Sequence, residues 1–226
     1  MRLRHPAGFP RKASTAPHLK RLLAAHLYVI TADAPPRRVI GAAASALRGG
    51  ADILQLRHKS LARGELLTLA RQLREIASDS GALFIVNDHV DIALLSDADG
   101  VHLGPDDLSI ASARRVAGDR LLIGASASGP DAARAAMENG ADYLGSGPAF
   151  ATPIKTDKQV IGTKGVAAIA AALGPGVPVF AIGGIDESNV GDLVAEGLRR
   201  VCVIRAVSGA PDPEQAARRL RAMLTR

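Results

Sequence analysis

From residue 26 onward the 226-residue chain switches eight times between a short β-rich run and a longer Ala/Leu/Arg-rich run of helical period. The strand-like runs fall at 26–31, 52–59, 83–87, 100–103, 121–126, 143–147, 179–183 and 200–205. The helical runs fall near 37–48, 63–79, 90–95, 109–117, 130–139, 163–173, 187–196 and 213–225. Strands that alternate with helices form parallel sheets, because each return to the same end of the sheet needs a crossover. Eight such units in about 200 residues predict a single (β/α)8 TIM barrel over residues 25–226. An open doubly wound sheet is the alternative. Ser109, Pro130 and Asp186 stand where helices should begin. Gly49–Gly50, Gly140 and Gly197 stand where left-handed residues should end them. Three phrases, Gly49-Gly50-Ala51-Asp52, Asp97-Ala98-Asp99-Gly100 and Gly140-Ala141-Asp142, each lead into a strand and read as structural turns on the lower face.

Composition narrows the function classes. Hydrophobic residues make up 47% of the chain, enough for a sizeable core. No run approaches the roughly 18 uninterrupted apolar residues of a membrane span, so no membrane partner is expected. The net charge of +6 invites a nucleic-acid reading, but its distribution removes it. Arg2, Arg4, Arg11, Lys12, Lys20 and Arg21 carry the whole excess within residues 1–24, and the remaining 22 basic residues match the 22 acidic ones. Residues 1–24 therefore read as a basic, flexible extension, and the body as neutral with no nucleic-acid partner. Aromatics at 3% and the absence of Trp leave no stacking platform for single strands. Cys202, the only cysteine, lies in an apolar run and reads as a buried hydrophobe in a reducing cytoplasm.

In a barrel of this kind chemistry sits at the C-terminal strand ends, so polar residues there are candidates. Alternation along 52–59 points Leu54, Leu56 and His58 toward the helices, and Gln55, Arg57 and Lys59 toward the barrel mouth. Two cations in a confined mouth need an anion. The third and fourth strands run straight into carboxylates, at Asn87-Asp88-His89 and Gly104-Pro105-Asp106-Asp107. Asp88 and Asp107 on neighbouring loops suit Mg²⁺, which takes one or two carboxylates plus phosphate oxygens. Asp106 reads as a helix cap, and His89 and His102, which lack a zinc-ligand spacing, as structural or as supports behind the site's contacting residues. The sixth strand leads into a long polar loop bearing Thr152 and Lys155, placed to close over a ligand. The loops after strands seven and eight, at Gly184 and at Ile204–Arg205, match the recurrent phosphate cup of such barrels. A metal with several cations and no nucleophile constellation points to chemistry on a pyrophosphate.

The chain resembles the thiamine-phosphate synthase (thiamine-phosphate pyrophosphorylase) family from Leu27 to about Leu220. The matching words are Leu27-Tyr28-Val29-Ile30-Thr31, Gln55-Leu56-Arg57-His58-Lys59, Asn87-Asp88-His89-Val90-Asp91, Gly100-Val101-His102-Leu103-Gly104-Pro105-Asp106-Asp107, Gly124-Ala125-Ser126, Gly147 through Lys155, and Ala181-Ile182-Gly183-Gly184-Ile185. The resemblance implies a cytoplasmic transferase joining a hydroxymethylpyrimidine diphosphate to a thiazole phosphate. It implies C–O cleavage to a pyrimidine cation that the thiazole nitrogen captures. Gln55, Leu56, Arg57, His58, Lys59 and Asn87 would hold the pyrimidine diphosphate, with Ser126 and Lys155 adding contacts. Asp88 and Asp107 would bind Mg²⁺. Thr152, Pro153, Ile154, Gly184, Ile204 and Arg205 would line the thiazole-phosphate side. Arg57, Lys59 and Lys155 would stabilise the departing charge. The chain departs from the family's pattern at His58, commonly Glu; at Ile154, commonly Thr; at Arg205, frequently Ser; and at Ser128, often His. A thiazole tautomerase and a non-catalytic phosphate-binding barrel are the alternatives. The tautomerase is disfavoured because its His after the fifth strand is missing while the pyrophosphate and metal set is present.

Overall fold

A computed structural model describes residues 16–152 and 159–225. Eight parallel strands close into a barrel in sequence order: β1 (Leu27–Ile30), β2 (Ile53–Leu56), β3 (Leu83–Asn87), β4 (Gly100–Leu103), β5 (Leu122–Ala127), β6 (Tyr143–Ser146), β7 (Val179–Ile182) and β8 (Val201–Val203). β1 pairs with β8, which removes both sheet edges and excludes the open sheet. The helices are α1 (Ala16–Ala24), α2 (Pro36–Arg48), α3 (Arg63–Asp79), α4 (Val90–Leu95), α5 (Ile110–Ala117), α6 (Pro130–Glu138), α7 (Gly162–Leu173), α8 (Val190–Ala195), α9 (Arg205–Ser208) and α10 (Pro213–Leu224). None of the described helices is long and apolar enough to cross a membrane.

Alternation sorts the strand side chains into two cores. Leu27, Val29, Leu54, Leu56, Phe84, Val86 and their equivalents meet the helices. Tyr28, Ile30, Ile53, Leu83, Ile85, Leu122, Tyr143, Phe180 and Cys202 fill the cylinder. Both tyrosines of the chain lie there against Phe180, with ring centroids 5.4 Å and 6.0 Å away at near-perpendicular angles. Such edge-to-face packing is favourable between aromatic quadrupoles. Gly124 makes it possible, because a Cβ on that residue would overlap the Tyr143 ring.

The lower-face turns are clamps. The residue before each of β2, β4 and β6 is an aspartate that binds the backbone of the preceding strand. Asp52 Oδ2 accepts from the His26 and Leu27 amides at 2.8 and 2.9 Å. Asp99 Oδ2 accepts from Phe84 N, and Asp142 Oδ2 from Ile123 N, each at 2.8 Å. A helix-borne arginine faces each carboxylate: Arg221, Arg74 and Arg114 respectively. Gly50, Gly140 and Gly197 adopt positive φ at helix ends as expected. Gly49 does not; it sits at φ −74° as the α2 C-cap, and a Cβ there would run into the Glu214 carbonyl of the segment that packs on α2.

Four expectations need correction. Residues 16–24 are not part of a flexible extension. They form α1, whose Leu22 is fully buried among the residues filling the cylinder, with Ala25 just beyond. The Leu19/Leu22 spacing gives α1 an apolar edge that closes the barrel floor. Residues 1–15 lie outside the described residues. β2 ends at Leu56, so Arg57–Lys59 belong to the following loop. The eighth run stops at Val203 and turns into α9, because Ile204 leaves the extended region at ψ −82°. Asp186 does not open a helix but folds a turn, its Oδ1 accepting from Ser188 N at 2.8 Å, and α8 starts at Val190.

The floor helix carries a first prediction. Leu22→Ala is expected to destabilise the protein by about 2–4 kcal/mol, the range for emptying a buried leucine site. Deleting residues 1–24 should lower the melting temperature at least as far. Thermal denaturation checks both, and an unchanged midpoint would show that α1 contributes nothing to the floor.

Candidate active site

A cavity of about 470 Å³ lies at the C-terminal end of the cylinder. Its lining includes Tyr28, Gln55, His102, Ser126, Phe180 and Cys202. Thr152, Gly184, Ile204 and Arg205 also line it, so all four loop residues assigned to the thiazole side within the described region meet one space. Gln55 is 1% exposed, and its Nε2 donates to Tyr28 Oη at 2.5 Å. Tyr28 Oη in turn lies 3.0 Å from Tyr143 Oη. Burial pushes both phenols well above the ordinary tyrosine range, so they stay protonated. Gln55 Oε1 is buried without a hydrogen-bond partner. An unsatisfied amide oxygen costs free energy unless something donates to it. His102, read as structural, points inward because Val101 and Leu103 take the helix side. Its Nε2 lies 3.1 Å from Ser126 Oγ.

The loops after β6 and β7 are locked together. Ala149 and Phe150 donate backbone N–H bonds to Ile182 and Gly183 carbonyls at 2.8 and 2.9 Å. Gly184 has φ 64°, and a Cβ on it would collide with the Ala151 carbonyl, so glycine is required twice over. Asn189 Nδ2 holds the Gly184 carbonyl at 2.8 Å. Arg205 opens α9 and is exposed at the cavity edge.

The second group of candidates sits at the rim above β2–β4, outside the cavity lining. Lys59 Nζ is 2.7 Å from Asp88 Oδ2. Asp88 and Asp107 share a side-chain hydrogen bond. Burial raises the Asp88 carboxyl, but the hydrogen bonds from Lys59 and Asp107 outweigh it and hold the group below the ordinary range. Burial, reinforced by the neighbouring Asp88, raises Asp107. Two neighbouring acids whose carboxyls are pushed in opposite directions favour a cation between them. The backbone fixes both. Asp88 has φ 65° and donates its amide to the His102 carbonyl at 2.9 Å. Asp107 Oδ2 accepts from Gly104 N at 2.7 Å. Asp106 does not cap α5; Ser109 does, accepting from Ser112 N. Asn87 ends β3 half-buried beside this pair.

Arg57 NH1 reaches Asp33 Oδ2 at 3.0 Å rather than the carboxylate pair. Leu56 and His58 point away from the mouth. Leu56 is buried against the helices, and His58 Nε2 donates to the Ala34 carbonyl at 3.0 Å. Their side chains therefore do not meet an anion in the mouth, and only their backbone borders it. Pro153, Ile154 and Lys155 lie outside the described residues.

The family model for thiamine monophosphate synthase matches residues 27–207, the whole barrel from β1 into α9. The chain belongs to this family. Thiamine-phosphate synthase of Moorella thermoacetica is 48% identical over 182 residues, covering 80% of this chain and 86% of that protein. The Gloeobacter violaceus protein of the same name is 45% identical over 193 residues; these are 85% of this chain but 55% of the longer relative. Among solved structures, thiamine phosphate pyrophosphorylase from Pyrococcus furiosus superposes with a TM-score of 0.82 at 38% identity, covering 91% of this chain and 97% of that one. The family resemblance drawn from the strand-end words therefore holds. Sequence reasoning missed Tyr28 and Tyr143, whose hydroxyls stand behind Gln55, and Asp33, which pairs with Arg57. The tyrosines were accessible through the inward parity of Tyr28 on β1, the same rule that placed Gln55. Asp33 had no such signal, because it lies on a loop whose path follows from packing alone.

Proposed function

We propose that the protein is a thiamine-phosphate synthase, a transferase that joins a 4-amino-5-hydroxymethyl-2-methylpyrimidine diphosphate to a thiazole phosphate and releases pyrophosphate. The observation that carries this reading is the two-part site. A mostly apolar cavity with a few polar groups suits two aromatic rings. A rim of cations and paired acids beside it suits a diphosphate. Gln55 and Ser126 would contact the pyrimidine, and Asn87 the diphosphate. Arg57, Lys59 and Lys155 would stabilise charge on the leaving group. The C–O bond to the diphosphate breaks with its electron pair leaving on oxygen. The lone pair of the thiazole nitrogen then closes on the pyrimidine methylene. Thr152, Gly184, Ile204 and Arg205, with Pro153 and Ile154, would hold the thiazole phosphate.

The donor set at Asp88 and Asp107 fits Mg²⁺, since two carboxylates on neighbouring loops offer hard oxygen ligands and still leave positions for phosphate oxygens. Mg²⁺ bound there supplies charge neutralisation for the diphosphate. Buried Cys202 agrees with a reducing, cytoplasmic setting. The test is pyrophosphate release with both substrates and Mg²⁺, each omitted in turn. Release requiring both substrates is expected. Isomerisation of a thiazole carboxylate phosphate without pyrophosphate release would establish the tautomerase, and neither reaction would leave a binding barrel.

A further inference from the structure

Arg57 and Lys59 sit on a loop, past the end of β2, where no sheet hydrogen bonds hold them. Something else must fix their direction, because flexible cations spend binding energy on ordering before they stabilise an anion. The segment after β1 does this. Thr31 Oγ1 accepts from Arg57 N and donates to Arg57 O, both at 2.9 Å. The Ala34 carbonyl takes His58 Nε2 at 3.0 Å. Asp33 sits between them and is the only charged member of this set. Its Oδ1 accepts from the Lys59 amide at 2.7 Å and lies 3.7 Å from His58 Nδ1, while its Oδ2 pairs with the Arg57 guanidinium at 3.0 Å. One carboxylate thus touches three consecutive residues of the β2–α3 loop. From that loop Lys59 Nζ reaches Asp88.

We propose that Asp33 is a positioning residue for the diphosphate half of the site: it sets the direction of Arg57 and the backbone path that lets Lys59 reach the acid pair. This rests on the synthase reading above. Asp33 acts through the two cations and touches no substrate. It is also an anion beside a site for an anion, so its presence needs a positive reason. A purely competing charge would weaken substrate binding, whereas a scaffold would strengthen it. The two roles predict opposite signs.

The experiment is steady-state pyrophosphate release by the full chain, wild type, Asp33→Ala and Asp33→Asn, each substrate varied at saturating partner, together with melting temperatures. Asp33→Ala should raise KM for the pyrimidine diphosphate by about tenfold, the scale of one lost charge-assisted hydrogen bond. KM for the thiazole phosphate should stay within about twofold, and the melting temperature should hold, as for exposed sites generally. Asp33→Asn keeps an acceptor for the Lys59 amide and should recover to within about threefold of wild type, losing only the charge on the guanidinium. In an Arg57→Ala background, Asp33→Ala should lose only the part of its effect that runs through the guanidinium, about threefold, and keep the part that runs through the Lys59 amide. A fall in KM for the diphosphate in Asp33→Ala overturns the proposal in favour of a competing anion. Equal rises in both KM values with a lowered melting temperature overturn it in favour of general loop stability. Unchanged kinetics overturn it outright. Absence of turnover in the wild type would instead refute the synthase reading and is thereby distinguished from all three.

Discussion

Replacing Asp88 and Asp107 together by alanine is expected to lower Mg²⁺-dependent pyrophosphate release on the order of 10³-fold, the scale of losing a preorganised electrostatic contact in a catalytic site. The fold should survive. Asp88 is half-buried and Asp107 more exposed, and both lie on loops beyond the strands that form the cores. Removing both leaves no unpaired carboxylate behind. Lys59 loses its partner but remains largely exposed to water. Circular dichroism and thermal denaturation alongside the activity assay separate the two effects. Wild-type turnover in the double variant would remove Asp88 and Asp107 from the chemistry.

A stability effect of the same order as that of Leu22→Ala is expected from the clamps on the lower face. Asp142 is 5% exposed at its side chain and holds both Ile123 N and Arg114 NH2 at 2.8 Å. Asp142→Ala strands the buried Ile123 amide and removes the counter-charge of Arg114, whose guanidinium keeps the Gly118, Leu121 and Gly140 carbonyls. A cost of about 3 kcal/mol follows, the lower end for breaking a buried pair because Arg114 keeps some contact with water. For a domain of this size that lowers the melting temperature by about 6–12 °C. Asp142→Asn retains an acceptor for Ile123 N and should lose about half as much. Asp131→Ala, which breaks a fully exposed pair with Arg134, is the control and should change little. Equal midpoints for Asp142→Ala and Asp131→Ala would show that the lower-face clamps do not stabilise the barrel.

The fold was legible because buried parallel strands leave a strong trace. Most read as short apolar runs rich in Val, Ile and Leu, and Gly or Asp punctuates the return from each helix. The strand runs at 83–87 and 100–103 agree with β3 and β4 to the residue. Errors arose where a chain end or a strand end is decided by packing. The cationic composition of residues 1–24 outweighed the Leu19/Leu22 edge of α1, although charge does not prevent a helix from covering a hole with its other side. At Ile204 an apolar residue continued the pattern while the backbone had already turned. Within the site, parity placed Gln55 correctly and turned His58 away, because the parity of β2 carries into the first residues beyond it. The same rule, applied to β4, would have turned His102 inward. Parity cannot supply partners, which is why the contact of Arg57 with Asp33 was invisible. The tyrosine pair behind Gln55 depends on the absence of a side chain at Gly124, a relation between β5 and β6 that no local window contains.

The aspartates before β2, β4 and β6 give the cylinder a grain. Each ties its own strand to the one before it through contacts spanning 15 to 26 residues. The seams β2/β3, β4/β5 and β6/β7 have no aspartate directly before their second strand: Ala82, Leu121 and Pro178 stand there instead. The staves are therefore bolted two by two, and the mouth residues follow the same division. Arg57 and Lys59 leave from one bolted pair, Asp88 and Asp107 from the next, Ser126 and Thr152 from the third. Substrates that bridge those loops would add ties across the seams that carry no aspartate clamp.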